Sequence, residues 1–218
     1  MSKKIITCVV FAIIGLIALQ IPFTNIIGSS TKFSMFDFYG PIVGGLVGST
    51  LGLLAVLSTQ IINWAIHGFA LDTATLIRFL PMLLAVLYFS KKSRLILAVP
   101  IIAMIAFWAH PEGRGAWYYA LYWLIPVAAY FGHKYTILRA LGTTFTAHAT
   151  GSVLFLYAFN LKTAVWVSLI PVVWKERGLM ALGITITFIA FSWLFNYLNK
   201  KVTWLHWLHL PKYSTQHK

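Results

Sequence analysis

The spacing of the charged residues constrains this chain more than any other feature. The following stretches contain no Asp, Glu, Lys or Arg: 5–31, 38–71, 79–90, 95–111, 115–133, 140–161, 163–174 and 178–199. A charged side chain at the bilayer centre costs about 2.5–3.5 kcal/mol, and a helix needs about 20 apolar residues to cross. Most of the stretches are close to that length. The sequence therefore predicts an all-α polytopic membrane protein of one domain, with about six to eight transmembrane helices.

The composition agrees with a membrane protein. Hydrophobic residues make up 60% of the 218 residues and charged residues only 10%, against about 45–50% and 25% in soluble domains. The formal net charge of +13 would suggest nucleic acid in a soluble protein, but here too little polar surface remains. Such an excess is typical of loop charges that orient helices in a bilayer, so no nucleic-acid partner is expected.

Both ends of the chain resemble known membrane-protein segments. Lys3 and Lys4 precede the apolar stretch 5–21 as in a signal peptide, but no small-residue cleavage site follows, which indicates a retained first span. We predict a transmembrane domain over 1–202. The tail 203–218 is rich in Trp, His and Lys and is expected to lie in the membrane interface.

Loop charges predict the orientation in the cell membrane. Basic groups occur at Lys3–Lys4, at 91–94, at Lys134 with Arg139 and at Lys175 with Arg177. The positive-inside rule places all of them, and the N-terminus, in the cytoplasm. The segment 110–115 is then external.

Two regions leave the number of crossings open. Region 22–72 must cross an even number of times, and we favour a short or broken segment around 33–46 followed by a second that leaves by about residue 66. A break would be tolerated at Gly40-Pro41 or Gly44-Gly45. Residues 163–174 either cross, which places 175–177 in the cytoplasm, or form a re-entrant segment before a final span.

Four glycines recur at intervals of four: Gly40, Gly44, Gly48 and Gly52. This spacing puts them on one helix face, where the missing side chains allow a second backbone to approach closely. Helix packing within the chain is the favoured interpretation. The alternative is a surface that docks on a partner helix or lines a ligand pocket.

Polar residues near membrane depth are candidate ligand-binding groups, because burying them without a partner is costly. They are Asp37, Asp72, Arg78, Glu112 and His148. Loop solvation is the alternative for the first four. His148 lies among hydroxyl-bearing residues in the middle of a predicted span, where it either packs internally or serves a ligand or proton.

Aromatic residues cluster beside the external segment. Trp117, Tyr118 and Tyr122 either belong to an interfacial belt or stack on a flat ligand near the external side. The sequence contains no H-E-x-x-H pair, no G-x-S-x-G elbow and no Walker loop. No catalytic residue or metal ligand is therefore assigned, and no cofactor is identified.

The segment Phe36-Asp37-Phe38-Tyr39-Gly40-Pro41-Ile42-Val43-Gly44-Gly45-Leu46-Val47-Gly48 resembles the Gly-Pro-x-x-Gly-x-x-x-Gly signature of the S components of energy-coupling factor vitamin transporters. The basic cluster at 91–94 and the chain length are also similar to that family. The resemblance covers roughly residues 1–95. It implies a helical membrane protein that captures a small molecule from outside and associates with a transmembrane coupling subunit and ATPases. The first helix departs from the family, because Ala12, Gly15 and Ala18 are spaced by three rather than four.

These observations favour a multi-pass membrane protein for substrate binding or transport of a small molecule. One alternative is a non-catalytic subunit of a larger membrane complex. The other is an intramembrane lipid-modifying enzyme, which would require His148 to converge with a carboxylate such as Glu112 or Asp72.

Overall fold

A computed structural model describes residues 3–25, 32–69 and 71–201, so the predicted interfacial tail lies outside the described residues. Within these ranges the chain is an all-α single domain with one short hairpin of two antiparallel strands. The elements are α1 (Lys3–Leu19), β1 (Pro22–Asn25), β2 (Lys32–Ser34), α2 (Phe36–Val47), α3 (Ser49–Ile66), α4 (Thr73–Ser90), α5 (Ala98–Ala109), α6 (Pro111–Gly115), α7 (Leu124–Phe131), α8 (Thr136–Phe159) and α9 (Thr163–Lys201). Short 3-10 segments, Arg94–Leu97 and Trp117–Trp123, precede α5 and α7.

The helices reflect the charge-free stretches of the sequence. Among the described residues, three helices are long and apolar enough to cross a membrane: α3, α4 and residues 163–198 of α9. A helix satisfies its own backbone hydrogen bonds, and this is the condition for placing such an apolar segment in lipid.

Hydrogen bonds between loops and helix ends define the two ends of the bundle. At one end Ser49 Oγ lies 2.8 Å from Ser90 Oγ, and His133 Nε2 lies 2.9 Å from the Tyr88 carbonyl oxygen. We call it the lysine end, because Lys91, Lys92 and Lys134 follow these residues. At the opposite, glutamate end, the backbone N–H of Thr163 donates to Glu112 Oε2 at 2.8 Å.

Region 36–66 folds as two helices, α2 and α3, that turn back on each other at Gly48. Two segments were predicted here, but the break lies at Gly48, not at Gly40-Pro41 or Gly44-Gly45. Gly48 has a φ of +90°, a backbone conformation that favours glycine.

The four glycines do not share one helix face. Gly40 and Gly44 lie in α2, Gly48 lies between the two helices, and Gly52 lies in α3. A Cβ at Gly52 would lie 2.5 Å from Gly44 Cα, and a Cβ at Gly44 would lie 2.9 Å from the Val86 carbonyl oxygen. At Gly40 it would meet the Met82 sulfur at 2.7 Å, whereas nothing lies within 4 Å at Gly48. Close backbone approach thus involves α2, α3 and α4, and Gly48 supplies the turn instead.

Helix α9 is continuous over 39 residues, so the segment 163–174 neither ends before Lys175 nor turns back. The re-entrant interpretation is therefore wrong, and 175–177 lies within a helix rather than in a loop. Arg177 is buried, with 7% of its surface exposed, and bonds Glu176 inside the protein, while Lys175 is exposed on the helix surface. An apolar helix can contain the charged residues 175–177 when the buried arginine among them has partners within the protein.

Two hydrophobic cores divide the bundle. The glycine core joins α1, α2, α3 and α4 with the second half of α9, and includes Phe11, Tyr39, Val43, Phe89 and Phe188. The aromatic core joins α5, residues 117–123, α8 and the first half of α9, and includes Phe107, Tyr119, Trp123, Phe145 and Trp166. Helix α9 contributes side chains to both cores.

Candidate ligand cavity

A cavity of about 210 Å³, the central cavity, lies between α4, α8 and α9 where the two cores meet. Its polar lining comes from five elements and comprises Asp37, Arg78, Tyr119, His148, Ser152, Glu176 and Arg177. Its apolar lining includes Ile77, Pro81, Phe155, Trp166, Leu169 and Val173. The cavity brings together three of the predicted ligand-binding residues: Asp37, Arg78 and His148.

Asp37 and Arg78 form one wall of the central cavity. Asp37 lies in the first turn of α2, and its Oδ2 accepts the backbone N–H of Ser34 at 2.8 Å. Its carboxylate is attracted by Arg78 and, more weakly, by Arg177. The amide of Gln60 in α3 donates to the Arg78 carbonyl oxygen at 3.4 Å. Helix α2 and the Ser34 N–H of β2 thus position the Asp37 carboxylate close to Arg78 of α4, which carries the opposite charge.

Arg177 and Glu176 form the opposite wall, on α9. Arg177 Nη2 donates to Glu176 Oε2 at 3.2 Å, and Nη1 donates to Thr144 Oγ1 at 3.4 Å. The guanidinium also lies 5.1 Å from the ring centroid of Phe33, within the range of a cation–π contact. Arg177 Nε is buried and has no hydrogen-bond partner among the described residues.

His148 lies in the middle of α8 and is held by two aromatic residues of segment 117–123. Trp123 Nε1 donates to His148 Nδ1 at 3.2 Å, and His148 Nε2 lies 2.9 Å from Tyr119 Oη. An indole N–H can only donate, so Nδ1 accepts and the proton of the neutral ring lies on Nε2. His148 therefore donates to Tyr119, and its partners come from another segment rather than from Thr144 one turn away.

A second cavity of about 290 Å³ lies between α3 and α4, toward the glutamate end. Gln60, Asn63, Trp64, His67 and Thr75 are among the residues that line it. Asp37, Arg78 and Met82 line both cavities, so these three side chains separate one from the other.

Asp72 and Glu112, two other predicted ligand-binding residues, lie at helix ends and tie loops together. Asp72 caps α4 by accepting the Thr75 N–H at 2.8 Å, and hydrogen bonds from Thr75 lower its pKa. Glu112 accepts the Thr163 N–H and bonds Lys162 Nζ at 3.0 Å. The Thr163 and Lys162 hydrogen bonds lower the pKa of Glu112 to about 2. Neither carboxylate converges with His148; among the described residues, the carboxylates that share a cavity with it are those of Asp37 and Glu176.

The predicted aromatic ligand platform is not assembled. Trp117 and Tyr118 are exposed, and neither lines a described cavity. Tyr122 donates to the Ile170 carbonyl oxygen at 3.0 Å and stacks on Phe145, so it packs α9 against α8. Among the described residues, no three His, Cys, Asp or Glu side chains lie close enough to hold a metal ion.

Sequence reasoning missed Tyr119, Ser152, Glu176 and Arg177. The trio 175–177 was interpreted as a loop because three consecutive charged residues normally mark a helix end. One signal was available: the trio contains both signs and interrupts an apolar stretch long enough for one extended helix.

The resemblance of residues 36–48 to S components is carried by the glycine signature, and the structure places that signature in α2 with Asp37 at the cavity. Its wider implications stay a prediction. The sequence matches no protein-family model, no curated protein and no solved structure.

Proposed function

We propose that this chain is a polytopic integral membrane protein that captures or transports a small molecule held in the central cavity. The observation that carries the proposal is the position of Asp37, Arg78, His148 and Arg177 around one cavity, with His148 and Arg177 in the interiors of α8 and α9. Ionisable groups at membrane depth are costly and are characteristic of substrate and ion pathways.

Alternating helix directions support eight crossings, made by α1, α2, α3, α4, α5, α7, α8 and α9 with their 3-10 extensions. Helix α2 has 12 residues and rises about 18 Å, less than the bilayer core of about 30 Å. The hairpin 22–34 would complete its passage. The lysine end is proposed to face the cytoplasm, with the N-terminus, and the glutamate end to face outside.

The likeness to S components suggests how such a protein would work. Capture from outside would be followed by release through a transmembrane coupling subunit driven by ATPases. The second cavity, toward the glutamate end, supports this direction of entry, because it shares Asp37, Arg78 and Met82 with the central cavity.

Filling the cavity tests the proposal. A Cβ at Gly151 would meet only Pro81 Cγ, at 3.8 Å, so the side chain of Gly151→Leu has room to extend into the central cavity. Gly178→Leu is the matched control, since nothing lies within 4 Å of a Cβ there. Small molecules that co-purify with the detergent-solubilised protein are measured by mass spectrometry. We expect a molecule retained by wild type and Gly178→Leu but lost from a folded Gly151→Leu; equal retention by all three contradicts the proposal.

Cysteine labelling tests the orientation. After Cys8→Ser, single cysteines at Leu71 and Arg114 should react with an impermeant maleimide in intact cells, and one at Ser93 should not. All three positions lie in loops or short helices at the bundle ends. Labelling at Ser93 with protection at Arg114 would invert the topology.

A further inference from the structure

The lining of the central cavity is formally neutral although it is strongly charged. Arg78 and Arg177 contribute two positive charges, and Asp37 and Glu176 contribute two negative ones. The carboxylate of Asp37 interacts with both arginines, and Glu176 pairs with Arg177. A ligand with a net charge would leave an uncompensated charge in this enclosure, which is unfavourable where the dielectric constant is low.

The donors of Arg177 are incompletely used. Its guanidinium has five N–H groups in a planar fork that matches a carboxylate. The bonds to Glu176 and Thr144, at 3.2 and 3.4 Å, are longer than the common value of about 2.9–3.0 Å, and Nε has no partner among the described residues. A carboxylate from a ligand would complete this set of hydrogen bonds.

The third wall adds polarity without charge. Because Trp123 donates to Nδ1 of His148, protonating that nitrogen would bring two N–H donors face to face at 3.2 Å. His148 is therefore kept neutral, and its Nε2–H donates to Tyr119 Oη. Tyr119 and Ser152 then present hydroxyl groups to the same cavity, beside its two arginines and two carboxylates.

We propose that the central cavity takes a small zwitterion with an apolar body, its carboxylate on Arg177 and its cationic group near Asp37. This inference rests on the proposed function and names its substrate class. The volume of about 210 Å³ is below the range of about 300–1,000 Å³ common for ligand pockets, which favours a compact molecule. Ile77, Pro81, Leu169 and Val173 supply the surface for its apolar body.

The experiment compares probes that share one carbon skeleton and differ in charge. Phenylalanine, 3-phenylpropionate and phenethylamine form one set; leucine, 4-methylpentanoate and 3-methylbutylamine form a second, smaller one. The affinity of each for the full-length purified protein is measured by thermal shift. In at least one set the zwitterion should bind roughly tenfold more tightly than the acid and the amine, as expected for one lost charge-assisted hydrogen bond.

If the carboxylate binds Arg177 and the cationic group lies near Asp37, two variants should change which probe binds most tightly. Asp37→Asn should favour the acid over the zwitterion, and Arg177→Gln should favour the amine, while Arg114→Gln at the glutamate end should change neither preference. Asp37→Asn keeps an oxygen for the Ser34 N–H, so the test survives if Arg177→Gln does not fold. Three results would each overturn the zwitterion proposal. They are an acid or amine that binds wild type as tightly as the zwitterion does, no thermal shift with any probe, and a preference that is unchanged in Asp37→Asn. A molecule retained by wild type and Gly178→Leu but lost from a folded Gly151→Leu would still leave the proposed function standing.

Discussion

The glycine core and the aromatic core use opposite means to hold helices together. In the glycine core, the backbones of α2 and α3 approach so closely that a Cβ at Gly52 would lie 2.5 Å from Gly44 Cα. In the aromatic core, large rings separate α5, α8 and α9, and their polar atoms need partners, as Trp123 shows with His148. The central cavity lies where the two cores meet, and the second cavity lies between α3 and α4 of the glycine core. Close backbone packing thus provides the frame at Gly44 and Gly52, and the aromatic core holds His148 at the central cavity.

The strongest way to break this contrast is to add a side chain to the glycine core. Gly44→Leu should abolish a monodisperse fold, because even its Cβ would lie 2.8–2.9 Å from atoms of Val86 and Ser90. Leu46→Ala removes a buried side chain and should cost about 2–5 kcal/mol while keeping the fold. Size-exclusion profiles and thermal unfolding in detergent measure both. A well-behaved Gly44→Leu protein would mean that this helix pair is not closely packed.

In the aromatic core the corresponding weak point is a hydrogen bond. Trp123→Phe keeps an aromatic ring but leaves His148 Nδ1 without its donor, and should cost about 1–3 kcal/mol of unfolding free energy. Trp193→Phe is the control, because Trp193 is 67% exposed on α9. Equal unfolding midpoints for the two variants would show that the indole donor contributes nothing.

Gly48 sharpens the comparison within the glycine core. Gly48→Ala meets no atom within 4 Å, so its cost should come only from the backbone conformation, about 1–2 kcal/mol. Gly178→Ala, in the middle of α9 and equally free of contacts, should instead be neutral or slightly stabilising. The unfolding midpoint should therefore fall in Gly48→Ala and stay unchanged or rise slightly in Gly178→Ala.

The smallest effect is expected at Glu112, outside both cores. Its pKa is lowered from 4.5 to about 2, so the stabilisation is complete above about pH 4.5 and is lost as the pH falls toward 2. The unfolding midpoint of wild type should therefore decline over this range more than that of Glu112→Gln. Parallel curves of unfolding midpoint against pH would indicate that the hydrogen bonds from Lys162 and Thr163 to Glu112 do not contribute to stability.

The sequence predicted several helices well. Helix α4 covers the charge-free stretch 79–90 and α8 covers most of 140–161, each beginning a few residues earlier, and the pair α2–α3 lies in the region expected to cross twice. It failed for α9, because the rule that charges mark helix ends assumes that each charge faces lipid. Arg177 instead faces Thr144, Glu176 and Phe33. The hairpin 22–34 was also missed, since its strands of four and three residues are too short to show a clear alternation of apolar and polar residues.

The site was only partly predictable for a related reason. The cost of burying a polar group identified Asp37, Arg78 and His148, all of which line the cavity. The same argument applied to Asp72 and Glu112 was uninformative, because carboxylates at helix ends also serve as caps and loop anchors. Tyr119 and Ser152 carry no sequence signal, since their position depends on how segment 117–123 packs on α8.

The continuity of α9 has a mechanical consequence. The single helix α9 carries Trp166 in the aromatic core and Phe195 in the glycine core, 29 residues apart in sequence and about 44 Å along the helix axis. Arg177 lies between them, at the cavity. A ligand that tilts α9 at Arg177 therefore also displaces the C-terminal end of the helix. On the N-terminal side of Arg177, bending at Pro171 can absorb part of the tilt. Ligand binding at the central cavity can thus move the lysine end of the bundle through one continuous helix, without an intervening loop.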